Sequence, residues 1–299
     1  MLQRARTRFK HILSRTTCTP GAPIFDPLSA RIADMQGWEV CKLSGSVGKF
    51  ANLAVPDNIP VANMSDLAEV CARITRIADV CLIVDADEGG GNALTVVRTV
   101  RDLEAAGVCA IEIEDNLVPS RFPEAPVAGS KAPSRHAQIV STAEQVGKLK
   151  AAVAARRDPD TVIVARTAAL DELDLPKALE RIRAYSDTGV EALMLPNVPH
   201  GRADIEAVSR ATTLPLFVLR LPLDAVTDAA FLAAHRVRVR YIEQAPYAMA
   251  VKAIHDGLQH LKDGGDIADL KSRQAAPALL RKLDRTEEFK QWQASFLMQ

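Results

Sequence analysis

Short apolar runs alternate along this chain with longer segments in which apolar residues recur every three or four positions. The runs are centred near residues 24, 40, 82, 110, 163, 193, 217 and 239. Short apolar runs are typical of buried strands, whereas the wider spacing is typical of amphipathic helices. Eight strands that are each followed by a helix predict an α/β protein with a (β/α)₈ TIM barrel. A doubly wound open sheet is the alternative, but its glycine-rich phosphate turn is missing near the N-terminus.

The pattern also predicts how the chain is divided. Residues 1–299 are expected to form one barrel domain, with an N-terminal helix within 1–20 and a C-terminal helical extension over 245–299. In the first helix, Leu2, Phe9, Ile12 and Leu13 are expected to pack inward. Residues 117–141 show no periodicity and contain four prolines, which predicts an active-site lid loop. The helices between the strands are predicted at 27–35, 64–77, 93–105, 142–156, 174–187, 201–211 and 227–235.

Composition narrows the function. The 299 residues are 48% hydrophobic, and 37 basic residues balance 37 acidic ones, so nothing in the charge favours nucleic acid or membrane as a partner. No apolar run approaches the roughly 20 residues of a membrane span. The five cysteines are expected to be reduced, as in a cytoplasmic protein. A mitochondrial location is the alternative, because residues 1–20 carry five basic and no acidic residues, as transit peptides do.

Acidic residues end two of the predicted strands. Asp85 and Asp87 are two positions apart, so on an extended chain their carboxylates leave the same face and repel each other. Glu114 ends the next strand. Oxygen ligands of this kind suit a hard cation such as Mg²⁺, for which Mn²⁺ can substitute. Glu112 is expected to point away from Glu114 and to be structural.

The other predicted strand ends carry groups that suit an anionic substrate. Ser44-Gly45-Ser46 follows the second strand, and Arg166 ends the fifth. Catalytic groups of a (β/α)₈ barrel lie at the C-terminal ends of its strands, so these residues are expected to meet the acidic ones. A guanidinium can bind a carboxylate through two parallel hydrogen bonds.

In this order the motifs resemble the phosphoenolpyruvate mutase/isocitrate lyase superfamily, and most of all its branch of bacterial oxaloacetate decarboxylases. The likeness covers roughly residues 15–255. The matching pieces are Phe25-Asp26, Ser44-Gly45-Ser46, Val55-Pro56-Asp57, Asp85-Ala86-Asp87 with Gly89, Gly91 and Asn92, Ile113-Glu114-Asp115, Val146-Gly147-Lys148 and Ala165-Arg166-Thr167.

The resemblance implies roles for individual residues. Asp87 would ligate Mg²⁺ directly or nearly so. The residues expected to act through ordered waters, or from just outside the ligands of the metal, are Asp57, Asp85 and Glu114. It also implies a homotetramer with C-terminal helices exchanged between subunits. The implied catalytic residues are Arg166, Asp57 and Ser46, and the implied substrate-binding residues are Ser44, Gly45, Ser46, Asn92, Arg166 and Gln244.

The expected activity is Mg²⁺-dependent cleavage of a carbon–carbon bond in a small 2-oxo or 2-hydroxy dicarboxylate such as oxaloacetate, through an enolate. The lyases of the superfamily carry a lid cysteine that supplies a proton, and residues 117–141 contain none. Decarboxylation of a β-oxo acid needs no such acid–base pair, so the absence favours a decarboxylase. His136 is a candidate lid acid, although a bystander role is favoured.

Several departures from the family leave the substrate open. Relatives usually carry other residues at the positions of Glu88, Gly90, Ala168 and Gln244. Gln244 stands where this branch carries a histidine. The alternatives are a phosphonopyruvate mutase or hydrolase, for which the lid supplies cations, and a lyase of a bulkier malate or methylisocitrate-like acid. A non-catalytic metabolite-binding barrel is a minor alternative. A Schiff-base aldolase is disfavoured because Lys42 lies within a strand. The lid cations are Arg121, Lys131 and Arg135.

Overall fold

Eight parallel strands form a closed barrel in which each strand pairs with the next along the chain and the last pairs with the first. The computed structural model describes residues 2–57, 63–117 and 139–297, with side chains from residue 4 onward. The fold class predicted from the alternating pattern is therefore confirmed. The strands are β1 (Thr19–Ile24), β2 (Val40–Leu43), β3 (Cys81–Asp85), β4 (Ala110–Glu114), β5 (Val162–Arg166), β6 (Ala192–Leu195), β7 (Leu216–Val218) and β8 (Val237–Tyr241).

The chain divides into a first unit, Met1–Glu243, and a second unit, Gln244–Gln299. The first contains the barrel and the helices that connect its strands. Its helices are α1 (Leu2–Ser14), α2 (Pro27–Met35), α3 (Gly45–Leu53), α4 (Met64–Thr75), α5 (Ala93–Ala105), α6 (Thr142–Ala155), α7 (Ala169–Glu172), α8 (Leu175–Ser186), α9 (Arg202–Ala211), α10 (Leu223–Val226) and α11 (Ala229–Ala234).

Three of these helices, α3, α7 and α10, were not predicted from the apolar spacing. Helix α3 matters most, because it begins inside the Ser44-Gly45-Ser46 motif and places Lys49 on its second turn. Its sequence contains two glycines and an asparagine, which are weak helix formers. Helices α7 and α10 have four residues each and are too short to show a period.

Two layers of apolar side chains hold the barrel together. The outer layer joins the outward faces of the strands to the surrounding helices. The inner layer fills the barrel and includes Val40, Ile83, Val164 and Phe217. Such a double layer explains why the strands read as nearly continuous apolar runs, since both faces of each strand are buried.

Helix α1 closes the end of the barrel at which the strands begin. Phe9 and Ile12 are fully buried in the inner layer, and the ring of Phe9 packs edge-on against Phe217 with centroids 6.2 Å apart. Arg6 is also buried, where its Nε donates to the carbonyl of Val108 at 3.0 Å and its Nη1 to Asp158 at 2.8 Å. The helix is therefore part of the packed core.

The second unit consists of α12 (Ala245–Lys262), a 3₁₀ segment (Ile267–Arg273), α13 (Pro277–Leu283) and α14 (Thr286–Phe296). None of these elements contains a buried residue. Apolar side chains such as Met249, Ile254, Leu258 and Phe296 are instead exposed. In the part of the chain that the structure describes, no helix has the length and apolar character needed to cross a membrane.

All five cysteines are free thiols, and four of them are buried. Cys81 begins β3 and donates to the carbonyl of Ala5 in α1 at 3.4 Å. These thiols take part in packing, as their apolar sequence surroundings predict.

Candidate active site

A layer of charged and polar side chains lies inside the barrel above the apolar layer. Lys42 comes from β2, Asp85 from β3, Glu112 from β4 and Tyr241 from β8, and all four are buried. Arg166, at the end of β5, is a fifth member with a side chain that is 14% exposed. A charged layer inside a barrel is costly unless its members pair. The contacts in this layer provide that pairing.

Arg166 lies at the centre of the charged layer. Its Nη1 contacts Asp85 and lies 3.6 Å from Glu112, while its Nε lies 2.8 Å from Glu114. Three acidic side chains thus surround one guanidinium. Burial alone would lower the pKa of Arg166, but these acids outweigh it and raise the pKa well above its ordinary value. Arg166 is a permanent cation held in a fixed orientation.

Glu112 takes part in this layer, so the expectation that it points away from Glu114 is wrong. Residues two apart on a strand share a face, and both glutamates therefore project into the barrel. Glu112 is fully buried and accepts hydrogen bonds from Lys42 and Tyr241. It fixes Lys42 beneath the site, where the lysine ammonium also lies 4.0 Å from Asp85.

Asp87 is held by a turn just past the end of β3. Its φ of 46° lies in the left-handed region, which aspartate tolerates better than most residues. Its N–H donates to Asp85 at 3.3 Å, and its carbonyl accepts from the N–H of Glu114 at 2.8 Å. The turn thereby ties together the three predicted metal ligands.

Gly45 makes the close approach of helix α3 to this turn possible. A Cβ atom built on Gly45 would lie 2.4 Å from Oδ1 of Asp87, well inside van der Waals contact. Any side chain at this position would therefore push the Asp87 carboxylate out of place. The glycine of the Ser44-Gly45-Ser46 motif is required here because of space.

Lys49 is the main site residue that the sequence reasoning missed. It lies on α3 with a side chain only 9% exposed, and its Nζ lies 2.9 Å from Asp87 Oδ2 and 3.3 Å from Asp57 Oδ1. Nζ also donates to the carbonyl of Asp57 at 3.3 Å. Had α3 been recognised, Lys49 would have been found, since residues four apart share a helix face and Gly45 faces Asp87.

The pKa values of the acidic residues are shifted in opposite directions. Burial and the charge of Asp85 raise the pKa of Asp87 to about 7, despite Lys49. Burial, with the charges of Asp85 and Asp87, raises the pKa of Glu114 to about 8, despite Arg166. For Asp85, burial acts upward too, but Arg166 and Lys42 outweigh it and hold the pKa below its ordinary value. The site is therefore short of positive charge around Asp87 and Glu114.

The donor set fits a hard divalent cation. The ion pairs of the site join five carboxylates to three cations, which leaves two negative charges in excess when all are ionised. Carboxylate oxygens are the ligands that Mg²⁺ prefers. Within residues 2–57, 63–117 and 139–297, however, no three acidic, histidine or cysteine side chains are grouped as they would be around a metal ion. Mg²⁺ is commonly held by one or two carboxylates, with waters and substrate oxygens as its other ligands.

Ser44 and Ser46 lie beside this cluster at the start of α3. Their hydroxyl oxygens are 3.0 Å apart, and Ser44 occupies the N-cap position without a side-chain cap bond. The first N–H groups of a helix have no partner within it, and the helix dipole favours an anion at that end. This corner can accept a carboxylate group.

One predicted substrate-binding residue, Asn92, is not brought into the cluster. Asn92 is exposed, and its Oδ1 caps α5 by accepting from Leu94 and Thr95 N–H groups at 2.8 and 3.3 Å. Gln244 is the first residue of the second unit. Most of the predicted lid, including Arg121, Lys131, Arg135 and His136, lies outside the described residues.

A second set of buried polar groups supports the site from behind. Asp115 is fully buried and accepts from Thr167 Oγ1 at 2.7 Å, from Arg181 at 3.2 Å and from Tyr185 OH at 2.9 Å. Lys148 donates to the carbonyl of Glu114 at 3.3 Å. These bonds connect the ends of β4 and β5 to α6 and α8, so they fix the spacing of Glu114 and Arg166.

A cavity of about 180 Å³ opens next to Lys49, between α3 and α4. Its outer end includes Glu69 and Arg73, which are exposed. Lining residues on the site's side are Gly45, Gly48, Lys49, Asn52 and Asp87, and those from α4 include Met64, Asp66, Leu67 and Val70.

Several known proteins are similar to this chain in sequence or in fold. An oxaloacetate decarboxylase of Paraburkholderia xenovorans (strain LB400) is 38% identical over 98% of this chain and 93% of its own. One of Rhodopseudomonas palustris (strain BisA53) is 42% identical over 92% and 91%. A crystal structure of phosphonopyruvate hydrolase with oxalate and Mg²⁺ is 27% identical, covers 98% of this chain and 99% of that one, and has a TM-score of 0.81.

A family model described as phosphoenolpyruvate phosphomutase matches residues 9–262. A solved phosphoenolpyruvate phosphomutase from Streptomyces platensis subsp. rosaceus is 26% identical, with a TM-score of 0.81 over 98% of this chain and 99% of that one. The matched region contains the whole barrel and every residue of the charged layer. The chain therefore belongs to the phosphoenolpyruvate mutase/isocitrate lyase superfamily of enzymes.

Proposed function

We propose that this enzyme is a Mg²⁺-dependent decarboxylase of oxaloacetate or of a closely related 2-oxo dicarboxylate. One observation carries the proposal most directly. A buried, permanently charged Arg166 lies in a site whose carboxylates outnumber its cations by two. That arrangement suits a divalent cation together with a small anionic substrate. The relatives that are 38% and 42% identical carry the name oxaloacetate decarboxylase, which supports the same substrate.

Asp87, Asp85 and Glu114 are the residues that would hold the metal. Bound there, Mg²⁺ would act as a Lewis acid on the carbonyl oxygen of the substrate, where negative charge develops. Mn²⁺ is expected to substitute for it. The left-handed turn at Asp87 and the absence of a side chain at Gly45 set the position of the carboxylate for this role.

The remaining groups bind and orient the substrate. The N-terminal end of α3, with Ser44 and Ser46, would accept one carboxylate, and Arg166 would supply charge-assisted hydrogen bonds. Loss of CO₂ breaks the bond between C3 and C4, and its electron pair delocalises toward the C2 oxygen. A proton from solvent is then taken up at C3, which gives pyruvate. Because CO₂ leaves without prior removal of a proton, this step needs no catalytic base beside C4.

The proposal extends to Asp57, to the lid and to the assembly of subunits. Asp57 would act near the metal through ordered water, and the loop around 117–141 would close over the substrate. We also propose a cytoplasmic homotetramer built from dimers that exchange C-terminal helices. The exposed apolar side chains of the second unit support such an assembly, since exposed apolar faces of this kind mark interaction surfaces.

Oxaloacetate consumption with and without Mg²⁺ tests the activity. Pyruvate release should be fast, should require the metal, and should exceed the rate in an equal concentration of free Mg²⁺. Asp87→Ala should reduce it to the rate with free metal, whereas Lys177→Met, at an exposed position on α8, should not change it. A wild-type rate no better than free Mg²⁺ would exclude oxaloacetate as substrate.

Phosphonopyruvate is the second candidate substrate, because a phosphonopyruvate hydrolase is 27% identical over nearly the whole of both chains. Phosphate release from phosphonopyruvate should be measured in parallel. Under the main proposal, kcat/KM for oxaloacetate exceeds that for phosphonopyruvate, and the reverse ranking would transfer the assignment to the hydrolase reaction.

A further inference from the structure

Lys49 contacts Asp87, the carboxylate that is expected to ligate the metal. Its Nζ is within 3.3 Å of three oxygen atoms, namely Oδ2 of Asp87, Oδ1 of Asp57 and the carbonyl oxygen of Asp57. Nζ donates hydrogen bonds to Oδ2 of Asp87 and to the carbonyl oxygen of Asp57, and it forms an ion pair with the Asp57 carboxylate. Asp87 is therefore already engaged by a cation that belongs to the chain itself.

A divalent ion and this ammonium compete for the same carboxylate. Two cations a few ångströms apart repel strongly where water is partly excluded, and Lys49 is 9% exposed. While Lys49 pairs with Oδ2 of Asp87, a metal has to compete with the ammonium for that oxygen.

The cavity between α3 and α4 provides a second place for the lysine side chain. Lys49 lines it together with Asp66 and Glu69, which are acidic, and with Asn52. Its volume of about 180 Å³ exceeds what a few methylene groups and an ammonium require. The cavity therefore offers the side chain space beside two carboxylates.

We propose that Lys49 is a tethered cation that fills the acidic cluster in the metal-free enzyme and moves into the neighbouring cavity when a divalent metal binds. It thereby lowers metal affinity and reduces the excess negative charge of the cluster while no metal is present. This inference rests on the metal site of the proposed function.

Binding of Mn²⁺, followed by the loss of its free electron paramagnetic resonance signal, measures the competition without reference to activity. Lys49→Met should bind Mn²⁺ with a Kd lower than that of the wild type by about tenfold or more, because one repelling charge is removed. Lys49→Arg keeps the charge and should bind about as weakly as the wild type. Lys177→Met removes an exposed lysine elsewhere and should leave the Kd unchanged.

Reductive methylation mapped by mass spectrometry measures the movement. Addition of Mg²⁺ should increase the methylation of Lys49 several-fold, since the cavity reaches the exposed residues Glu69 and Arg73. Lys177 is the internal control, and its methylation should not respond to Mg²⁺. Methylation of Lys49 that stays constant or falls would overturn the displacement.

The outcomes separate this inference from the proposed function. If the wild-type enzyme decarboxylates oxaloacetate with Mg²⁺ but Lys49→Met binds Mn²⁺ no more tightly, the function stands and the role of Lys49 is refuted. If neither protein binds Mn²⁺, the metal site itself is refuted, and the competition with it. Tighter binding by Lys49→Met supports the inference whatever the substrate proves to be.

Discussion

Replacement of Asp87 by asparagine should make the stability of the metal-free enzyme less sensitive to a rise in pH from 5 to 8. In the folded chain, burial and the charge of Asp85 raise the pKa of Asp87 from 3.8 to about 7. In the unfolded chain the same group loses its proton near its ordinary value. Between these two values the folded state binds more protons than the unfolded state, so stability falls as the pH rises.

The size of the effect follows from that shift. With pKa values of 3.8 unfolded and about 7 folded, Asp87 alone lowers the free energy of unfolding by about 3 kcal/mol between pH 5 and pH 8. An asparagine side chain at this position would be neutral throughout and would remove this loss. The charge of Asp87 also contributes to the raised pKa of Glu114, so the substitution should lower that pKa. The contribution of Glu114 therefore does not reduce the difference in stability between the wild type and Asp87→Asn. Asp85 has a lowered pKa, and its contribution changes only at pH values below this range.

Urea unfolding at pH 5, 6, 7 and 8, with a chelator and at one protein concentration, measures the difference. The wild type should lose about 3 kcal/mol more than Asp87→Asn over this interval. Asp102→Asn, which alters a partly exposed carboxylate paired with Arg98 on α5, should follow the wild-type curve. If Asp87→Asn loses as much stability as the wild type, the site does not carry the excess negative charge inferred from its geometry.

Three further changes test the site and its support. Arg166→Lys should lower kcat/KM by about a hundredfold or more, because an ammonium cannot contact three acids in a fixed plane, and recovery of wild-type kcat/KM would show that charge alone suffices. Gly45→Ala should weaken Mn²⁺ binding by displacing Asp87, whereas Gly147→Ala, where an added Cβ meets nothing within 4 Å, should leave it unchanged; equal effects would contradict the steric argument. Phe9→Ala should lower the free energy of unfolding by about 3–5 kcal/mol, measured by urea unfolding, and a loss below about 1 kcal/mol would show that α1 is not part of the core.

The barrel itself was predictable because its strands are buried on both faces. Each therefore appears as a short apolar run, and eight such runs separated by helical spacing favour a closed barrel. Helix α3 was not predictable in the same way. Its glycines, of which Gly45 is required by the close approach to Asp87, are also the residues that hide a helical pattern.

The site was predictable in kind more than in detail. Acidic strand ends and Arg166 indicated a metal and a carboxylate, and the structure brings Asp85, Asp87, Glu114 and Arg166 together. The pairing of these groups was not visible, because it depends on distances between strands that are far apart in sequence. The prediction for Glu112 failed for a different reason, since alternation places residues two apart on one face. Lys49 was missed because its helix was missed.

Helix α1 determines how small molecules enter and leave the barrel. Phe9 and Ile12 fill the end where the strands begin, so the barrel is closed at that end and has no channel through it. Whatever enters at the charged layer must leave by the same mouth. Product departure and substrate entry are thus sequential events at one opening, and anything that narrows that opening slows both.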